Sequence, residues 1–345
     1  MSLMFSSGEA EPATETWTEM LAIANISRAG QCPMTDSTDI PSAGPRDCGL
    51  VGVGVERSGR ENAMGQASGK STESVDHGGS TAVAGPDQAE RALVIGLNEG
   101  VLTLTIDRQA RRNALNDEIT DGLTAALQTP PPGTRVILLR SAGERVFCAG
   151  ADLAVMENES TGLEQHAARG GIRGVLMAMR ECPLPVIARV QGLCLAGGVG
   201  LAAGCDLVVA SERAEFGLPE VNLGLWPFMV SALLARHVSP KVAMDMMLTG
   251  RRVGAVEARS IGLVSRVVPA EDLDAEVTTL VKELAARAPV AVRMGKEAFT
   301  AAAETSVPHA LTAMQAQLSL LTQTADAAEG VAAFFARRSP KWTGR

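Results

Sequence analysis

From Arg91 onward, short apolar runs alternate with helical patterns, and this alternation restricts the possible folds more than any other feature of the chain. The runs ALVIGL (92–97) and VLTLTI (101–106) are rich in β-branched residues and are joined by Asn98-Glu99-Gly100, a typical hairpin signal. Five further strand-like runs are RVILLR (135–140), PVIARV (185–190), DLVVA (206–210), AEFG (214–217) and SRVVP (265–269). Helical patterns follow these runs, and Asn116 can cap one that extends to about Gln128. Strand pairs followed by helices predict an α/β sheet layered with helices.

Composition divides the chain into three parts. Residues 1–90 contain 28 Gly, Ser or Pro residues and carry a formal charge of −8, which is the whole excess charge of the protein. Such a segment buries too little apolar surface to offset its ordering entropy, so we expect a disordered extension that is dispensable for folding. Residues 91–285 are expected to form the α/β core. Residues 286–345 show helical patterns with breaks near Pro289 and Pro308, which predicts a helical appendage.

The composition also excludes several classes of protein. No stretch approaches the roughly 20 apolar residues that span a bilayer, and a net charge of −8 argues against nucleic-acid binding. The six cysteines lack CxxC spacing and the four histidines are scattered singly, so no metal site is expected. The N-terminal part is too acidic for a mitochondrial transit peptide and has no signal-peptide core, so we expect a cytoplasmic location.

Two glycine-containing loops each follow an apolar strand, Cys148-Ala149-Gly150-Ala151-Asp152 and Leu195-Ala196-Gly197-Gly198. Small residues at such junctions let backbone N–H groups approach a ligand closely. N–H groups at a helix start also point outward without a partner and carry positive partial charge. Two such loops on adjacent strands can each aim one donor at a single oxygen, which is how an oxyanion hole is built. Either loop alone is a weak signal.

A dinucleotide site is a competing interpretation of the second loop. Gly198-x-Gly200-x-x-Ala203 fits the fingerprint G-x-G-x-x-A, and Glu220 lies 20 residues after Gly200. However, four or more residues separate the preceding strand from these glycines, and the helix that follows spans only about seven residues. A parallel crossover needs a dozen or more residues. The spacing therefore disfavours a nicotinamide cofactor.

Six segments, in order along the chain, resemble the enoyl-CoA hydratase/isomerase family, the crotonases. They are RRNALN (111–116), FCAGADL (147–153), PLPVIARVQGLCLAGGVGLAAGCDLVVAS (183–211), AEFGLPEVNLGL (214–225), RRVGAVEARSIGLVSRVVP (251–269) and EGVAAFFARRSPKW (329–342). The resemblance implies an α/β, crotonase-like spiral of ββα units that forms two near-perpendicular sheets. It also implies a C-terminal all-helical region that builds homotrimers or hexamers (dimers of trimers).

The resemblance implies roles for individual residues. Ala151 and Gly197 match the positions whose N–H groups hold the oxygen of an acyl-CoA thioester, and Glu220 matches one of two acidic catalytic positions. Six further residues are expected to contact the substrate or order its site: Gly150, Asp152, Gly198, Trp226, Arg112 and Arg338. Coenzyme A is part of the substrate, so no separate cofactor is expected.

The chain departs from the family pattern at two places. Gly200 stands where two-carboxylate hydratases have their first glutamate. Leu225-Trp226-Pro227-Phe228-Met229 replaces a glycine-rich stretch, so Trp226 and Phe228 are expected to narrow or reshape the acyl pocket. A single carboxylate suits double-bond isomerisation, and it suits hydration if the water itself delivers the second proton. A CoA-ester-binding protein without turnover and an acyl-CoA hydrolase or decarboxylase remain alternatives on the same scaffold.

Overall fold

The computed structural model describes residues 91–153, 161–163, 166 and 170–345. The expectation that residues 1–90 are a disordered extension lies outside the described residues. The pattern after FCAGADL also predicts a helix from about Leu163 to Arg180, and part of this range lies outside them too. In the described ranges, no helix is long and apolar enough to cross a bilayer. Within the same ranges, no three His, Cys, Asp or Glu side chains are grouped so that they could hold a metal ion.

The described chain contains ten strands in two sheets. In chain order they are β1 (Leu93–Asn98), β2 (Val101–Ile106), β3 (Val136–Ser141), β4 (Val146–Cys148), β5 (Val186–Val190), β6 (Leu193–Leu195), β7 (Leu207–Ser211), β8 (Glu215–Gly217), β9 (Arg252–Gly254) and β10 (Arg266–Val268). The first sheet has the order β1-β2-β3-β5-β7-β10 and the second has the order β4-β6-β8-β9. Only the β1–β2 and β8–β9 pairs among these strands are antiparallel.

Ten α-helices accompany these strands in the described ranges. They are α1 (Asp117–Gln128), α2 (Gly170–Glu181), α3 (Gly197–Gly204), α4 (Phe228–His237), α5 (Pro240–Thr249), α6 (Ala255–Ser260), α7 (Leu273–Ala285), α8 (Pro289–Ala302), α9 (Val307–Leu321) and α10 (Ala325–Phe335). The predicted cap of α1 is confirmed, because the Asn116 side chain accepts a hydrogen bond from the Ile119 N–H at 3.2 Å.

A repeated chain path links the two sheets. Strands β3, β5 and β7 of the first sheet each continue, after two to four residues, into β4, β6 and β8 of the second sheet. This path confirms the predicted α/β fold and its hairpin at β1–β2. The short strands β4, β6 and β9 were not predicted, because three residues carry too little alternation to mark a strand reliably.

The core lies on both faces of the first sheet. Leu102, Leu104 and Ile106 are alternate residues of β2 that are fully buried in the main core, together with residues of α1 to α5. A second, smaller cluster lies under α7 and includes Val136 and Leu138 of β3. Because β3 is covered on both faces, its sequence is an almost continuous apolar run, as expected for a central parallel strand.

The chain after β10 is helical. The predicted breaks are confirmed, since Pro289 is the first residue of α8 and Pro308 lies in the first turn of α9. Helix α8 is fastened to the core by Lys296, whose Nζ donates to the Leu184 carbonyl at 2.9 Å and to Asp206 Oδ2 at 2.6 Å. These contacts connect α8 to the segments directly before β5 and β7 of the first sheet.

Candidate active site

Three neighbouring strand ends form one edge of the second sheet. Strands β4, β6 and β8 are adjacent and parallel, so their carboxyl ends lie on the same side. The segments that follow them are 149–152, 196–198 and 218–220, which contain both glycine loops and Glu220. The Ala196 N–H donates to the Gly217 carbonyl at 2.9 Å, which ties the second loop to the end of β8. The topology therefore brings the three predicted catalytic positions to one edge.

The two glycine loops touch each other. A Cβ placed on Gly150 would lie 2.6 Å from the Ala196 Cβ and 3.2 Å from the Gly197 nitrogen. A Cβ placed on Gly197 would lie 3.7 Å from the Ala151 nitrogen. Gly150 also has a φ of +100°, which side-chain-bearing residues rarely adopt. Glycine at position 150 is therefore required both by its backbone conformation and by the close approach of the second loop.

The orientation of the Ala151 N–H follows from the peptide that carries it. The Gly150 carbonyl of that peptide accepts a hydrogen bond from the Leu115 N–H at 2.8 Å, and the Leu115 carbonyl accepts one from the Asp152 N–H at 2.8 Å. In a trans peptide the C=O and N–H groups point in opposite directions. The Ala151 N–H therefore points away from Leu115, and it has no backbone acceptor among the described residues.

The Gly197 N–H is fixed by the start of helix α3. The Ala196 carbonyl, which shares a peptide with this N–H, accepts hydrogen bonds from Val199 at 2.9 Å and from Gly200 at 3.3 Å. The Gly197 N–H therefore points out of the helix and is one of its unpaired donors. Ala196 has φ +52° and ψ −122°, a conformation that costs a non-glycine residue about 1–3 kcal/mol. This strain occurs directly beside the donor.

Two other glycines of α3 pack against neighbouring elements. A Cβ on Gly198 would lie 2.5 Å from the Cys148 carbonyl oxygen, so β4 leaves no room for a side chain there. A Cβ on Gly200 would lie 3.0 Å from Cγ2 of Val230 on α4. Packing accounts for glycine at 198, and substrate contact by this residue stays a prediction. The direction in which a side chain at 200 would leave the helix is occupied by apolar atoms.

Glu220 lies in a 3₁₀ helix, Pro219–Leu223, that directly follows β8. Its Oε2 atom is buried and has no hydrogen-bond partner among the described residues. Burial raises the pKa of the Glu220 carboxyl above its ordinary value, and a hydrogen bond with its own backbone opposes this rise. A carboxylate with an unpaired, desolvated oxygen has the properties of a proton-transfer group.

Asp152 is ion-paired beside the first loop. Its Oδ2 lies 3.0 Å from Nη2 of Arg108, and Nη1 of the same arginine donates to the Ala114 carbonyl at 2.8 Å. This geometry fits the expected role of Asp152 in ordering the loop. Arg108 was not predicted as a site residue, because it lies three residues before RRNALN and carries no motif of its own.

Asn113 is a second site residue that was not predicted. Its side chain is buried, and its backbone has a φ of +54°. Its Oδ1 accepts from the Arg108 N–H at 3.0 Å, and its Nδ2 donates to the carbonyls of Ala142 and Val146 at 3.0 and 2.8 Å. Asn113 therefore connects the segment before α1 to the strand that leads to the first loop. Its position in RRNALN was the available signal.

The two predicted CoA-binding arginines lie in different settings. Arg112 is exposed, and its carbonyl accepts a hydrogen bond from the Ala149 N–H at 3.2 Å, which places it beside the first loop. Arg338 makes a forked ion pair with Glu329, with distances of 2.6 and 2.8 Å. The hydrogen bonds from Arg338 lower the pKa of the Glu329 carboxyl to about 2. A phosphate at Arg338 would have to share or displace this pair.

The aromatic residues after Glu220 differ in burial. Trp226 is half-buried and packs against the main core. Phe228, the first residue of α4, is 76% exposed. Their effect on an acyl pocket stays a prediction.

The fold and this edge define a class of α/β proteins in which two backbone donors and one buried carboxylate are presented by adjacent parallel strands. Solved structures share the architecture: an enoyl-CoA hydratase of Mycobacterium smegmatis superposes with a TM-score of 0.71 and 35% identity, over 73% of this chain and 99% of that one. Residues 96–345 match the family model described as enoyl-CoA hydratase/isomerase. The chain belongs to this family, and it is an acyl-CoA enzyme of the hydratase or isomerase type.

Curated relatives agree with this assignment. The 2,3-dehydroadipyl-CoA hydratase of Escherichia coli is 33% identical over 255 residues, which cover 73% of this chain and 99% of that protein. The enoyl-CoA hydratase domain-containing protein 3, mitochondrial, of Rattus norvegicus is 33% identical over 269 residues, which cover 77% of this chain and 89% of the relative.

Proposed function

We propose that the N–H groups of Ala151 and Gly197 bind the carbonyl oxygen of an enoyl-CoA thioester while Glu220 transfers a proton. The observation that carries this proposal is the contact between the two loops, each with an outward N–H and no backbone acceptor among the described residues. The same sheet edge carries the unpaired carboxylate oxygen of Glu220. These are the groups that an enolate reaction needs.

The chemistry follows from the charge that develops on the substrate. When the proton on the carbon next to the thioester carbonyl is removed, negative charge moves to the carbonyl oxygen. Two preorganised donors stabilise this charge, and each is worth about 10²–10³ in rate in comparable sites. Glu220 accepts the proton, and its raised pKa brings it nearer to the operating pH, where proton transfer is efficient.

Isomerisation is the reaction that one carboxylate supports best. Glu220 takes a proton from C2 of a 3-enoyl-CoA, the electrons shift to form the C2–C3 double bond, and the carboxylic acid returns the proton to C4. No second acid or base is needed. At Gly200, where a second carboxylate would stand, a Cβ would lie only 3.0 Å from Cγ2 of Val230.

Hydration is the second candidate, and the names of the relatives favour it. In that reaction water adds its oxygen to C3 of a 2-enoyl-CoA, and C2 gains a proton. With one carboxylate, Glu220 must take a proton from the attacking water. The proton that C2 gains then comes either from the Glu220 carboxylic acid or from the water itself.

The two reactions are distinguished by offering the full chain a 3-enoyl-CoA and a 2-enoyl-CoA in deuterated water. Isomerisation moves the double bond without adding a molecule of water, whereas hydration gives the 3-hydroxyacyl product. Release of free CoA thiol would instead indicate a hydrolase. A protein that binds CoA esters without turnover would convert neither substrate, and that result would refute the proposed reaction.

The proposed reaction needs no cofactor apart from the coenzyme A that the substrate carries. We propose that Arg112 and Arg338 approach its phosphates, since charge-assisted hydrogen bonds to phosphate suit arginine. Arg112 is favoured by its exposure beside the first loop. Loss of affinity for CoA esters but not for their pantetheine analogues in Arg112→Ala would support this role.

We also propose a homotrimer or a dimer of trimers in the cytoplasm. Helix α9 has no buried residue, and large apolar side chains are exposed on α8 to α10. They are Phe299, Val307, Leu311, Leu318, Leu320, Val331, Phe334 and Phe335. Such a surface is typical of a subunit interface. A monodisperse, active monomer in size-exclusion chromatography with light scattering would contradict the proposal.

A further inference from the structure

We infer that Cys148 is a positioning residue for the two donor loops, which its thiol and main chain hold in their mutual orientation. The inference rests on the proposed function, because it concerns how the N–H groups of Ala151 and Gly197 are aimed. Cys148 is the last residue of β4 and is fully buried. It begins the first loop, contacts Gly198 of the second loop and belongs to neither donor peptide.

The thiol contacts the first loop. Its Sγ accepts a hydrogen bond from the Gly150 N–H at 3.4 Å and lies 4.0 Å from the Gly150 carbonyl oxygen, within range of a weak S–H donor. The sulfur is thus near the peptides on both sides of Gly150. The second of these peptides carries the Ala151 N–H. The Gly150 carbonyl of that peptide has two contacts, the weak S–H donor and the Leu115 N–H, while the acceptor role of the sulfur fixes the preceding peptide.

The rest of Cys148 contacts the second loop. A Cβ on Gly198 would lie 2.5 Å from the Cys148 carbonyl oxygen and 2.9 Å from its Cβ, so the first turn of α3 rests directly on this residue. Gly198 follows the donor Gly197 in the chain. A change of shape or hydrogen bonding at Cys148 is therefore expected to reach both donors.

The chain provides a matched control for this role. Cys194 on β6 is the Cα partner of Cys148 in the strand register, and it is equally buried. Burial raises the pKa of both thiols, that of Cys148 to about 12, so both remain neutral. Among the described residues, only the Cys148 thiol of these two has a hydrogen bond to the loops.

The test compares Cys148→Val, Cys148→Ser and Cys194→Val in the full chain. Valine keeps the bulk and removes the acceptor, whereas serine keeps an acceptor. Two quantities are measured: the rate on the enoyl-CoA that the wild type converts, and the infrared carbonyl band of bound, ¹³C-labelled butanoyl-CoA. A lost hydrogen bond of ordinary net strength corresponds to up to about tenfold in rate. We expect Cys148→Val to lower kcat by about that factor with KM little changed, and to reduce the shift of the carbonyl band.

Cys148→Ser is expected to retain most of the rate and of the band shift, and Cys194→Val to remain within about twofold of wild type. If Cys148→Val fails to fold, Cys148→Ala is the second variant without an acceptor. Wild-type kcat and band shift in the folded variant without an acceptor would overturn the inference, as would an equal loss in Cys194→Val. An unshifted carbonyl band in the wild-type protein would instead refute the proposed oxyanion hole itself.

Discussion

Replacing Glu220 by glutamine should slow the enzyme and, at neutral pH, make it more stable. If Glu220 is the only base, the variant should keep its affinity for CoA esters while kcat falls by about 10² or more, as expected when general acid–base catalysis is lost. The stability change has a separate cause, which is the buried and unpaired Oε2 atom. An ionised carboxylate at this position is less well solvated in the folded chain than in the unfolded chain.

The sign of the stability change follows from the raised pKa of Glu220. The folded state binds this proton more tightly than the unfolded state does, so protonation of Glu220 stabilises the fold. This contribution to the free energy of unfolding is complete below the ordinary pKa of 4.5. It is lost as the pH rises through the higher pKa of the folded state. At pH 7 the wild type therefore carries a penalty that glutamine, which is uncharged, does not carry.

The size of this penalty is limited because the residue is only half-buried. An unsatisfied buried polar group costs about 1–3 kcal/mol, and partial exposure places Glu220 near the lower end. A gain of about 1 kcal/mol corresponds to a rise in Tm of about 2–4 °C for a chain of this size. The rise should be seen by calorimetry at pH 7 and should vanish near pH 4.

Glu215→Gln is the matched control, because Glu215 lies on the same strand-to-turn segment but its carboxylate is paired with Arg252 at 3.1 Å and its side chain is 46% exposed. It should leave kcat unchanged. Turnover of both enoyl-CoA substrates by Glu220→Gln at the wild-type rate would show that Glu220 is not the base. A Tm at pH 7 equal to or below that of the wild type would refute the desolvation argument.

Three further perturbations have expected outcomes. Gly150→Ala should lower kcat by about 10² or more, because the new Cβ would lie 2.6 Å from that of Ala196 and would separate the donors; stopped-flow kinetics at saturating substrate measure the loss. Gly200→Glu alone should destabilise the fold by about 1–3 kcal/mol in urea unfolding, since its Cβ meets Val230 at 3.0 Å, and only the double variant with Val230→Ala should gain hydration. Lys296→Met should lower the free energy of unfolding by about 1 kcal/mol, because it removes the hydrogen bonds to the Leu184 carbonyl and to Asp206, whose Oδ2 keeps the bond from the Val186 N–H.

Controls keep these outcomes interpretable. Gly96→Ala introduces a methyl group where no atom lies within 4 Å, so it separates the general cost of losing a glycine from the effect at the donor loops. Lys241→Met removes an exposed lysine and should leave the urea midpoint unchanged. A Gly150→Ala enzyme with wild-type kcat would contradict the proposed role of the loop contact. Hydration by Gly200→Glu alone would show that Val230 gives way more readily than its packing suggests.

The fold could be predicted from the sequence because its signals are local, whereas the roles of Ala151, Gly197 and Glu220 came from the family resemblance and stay predictions. Continuous apolar runs such as VILLRS mark strands that are buried on both faces, and Asn116 marks a helix start. The loops that contain Ala151 and Gly197 were recognisable because each follows an apolar strand.

What could not be predicted depends on long-range contacts. Nothing in the local sequence around Arg108 indicates its ion pair with Asp152, which lies 44 residues further along the chain. The pairing of Arg338 with Glu329, which competes with the expected phosphate contact, was also not predicted. Likewise, the sequence identified Gly200 as a missing carboxylate but could not show that Val230 occupies the space around it. Short strands such as β9 form only because a neighbouring strand supplies their hydrogen bonds.

The two outward N–H groups at Ala151 and Gly197 have a consequence for how this enzyme can vary. Both proposed donors belong to the main chain, so only replacement by proline would delete either of them, and a scan restricted to polar and charged side chains would not register them. Selection can act there only on the volume and backbone freedom of residues 148–151 and 195–198. A comparison that looks for matching polar side chains would therefore overlook this site, whereas one that asks where glycine and alanine cannot be enlarged would find it.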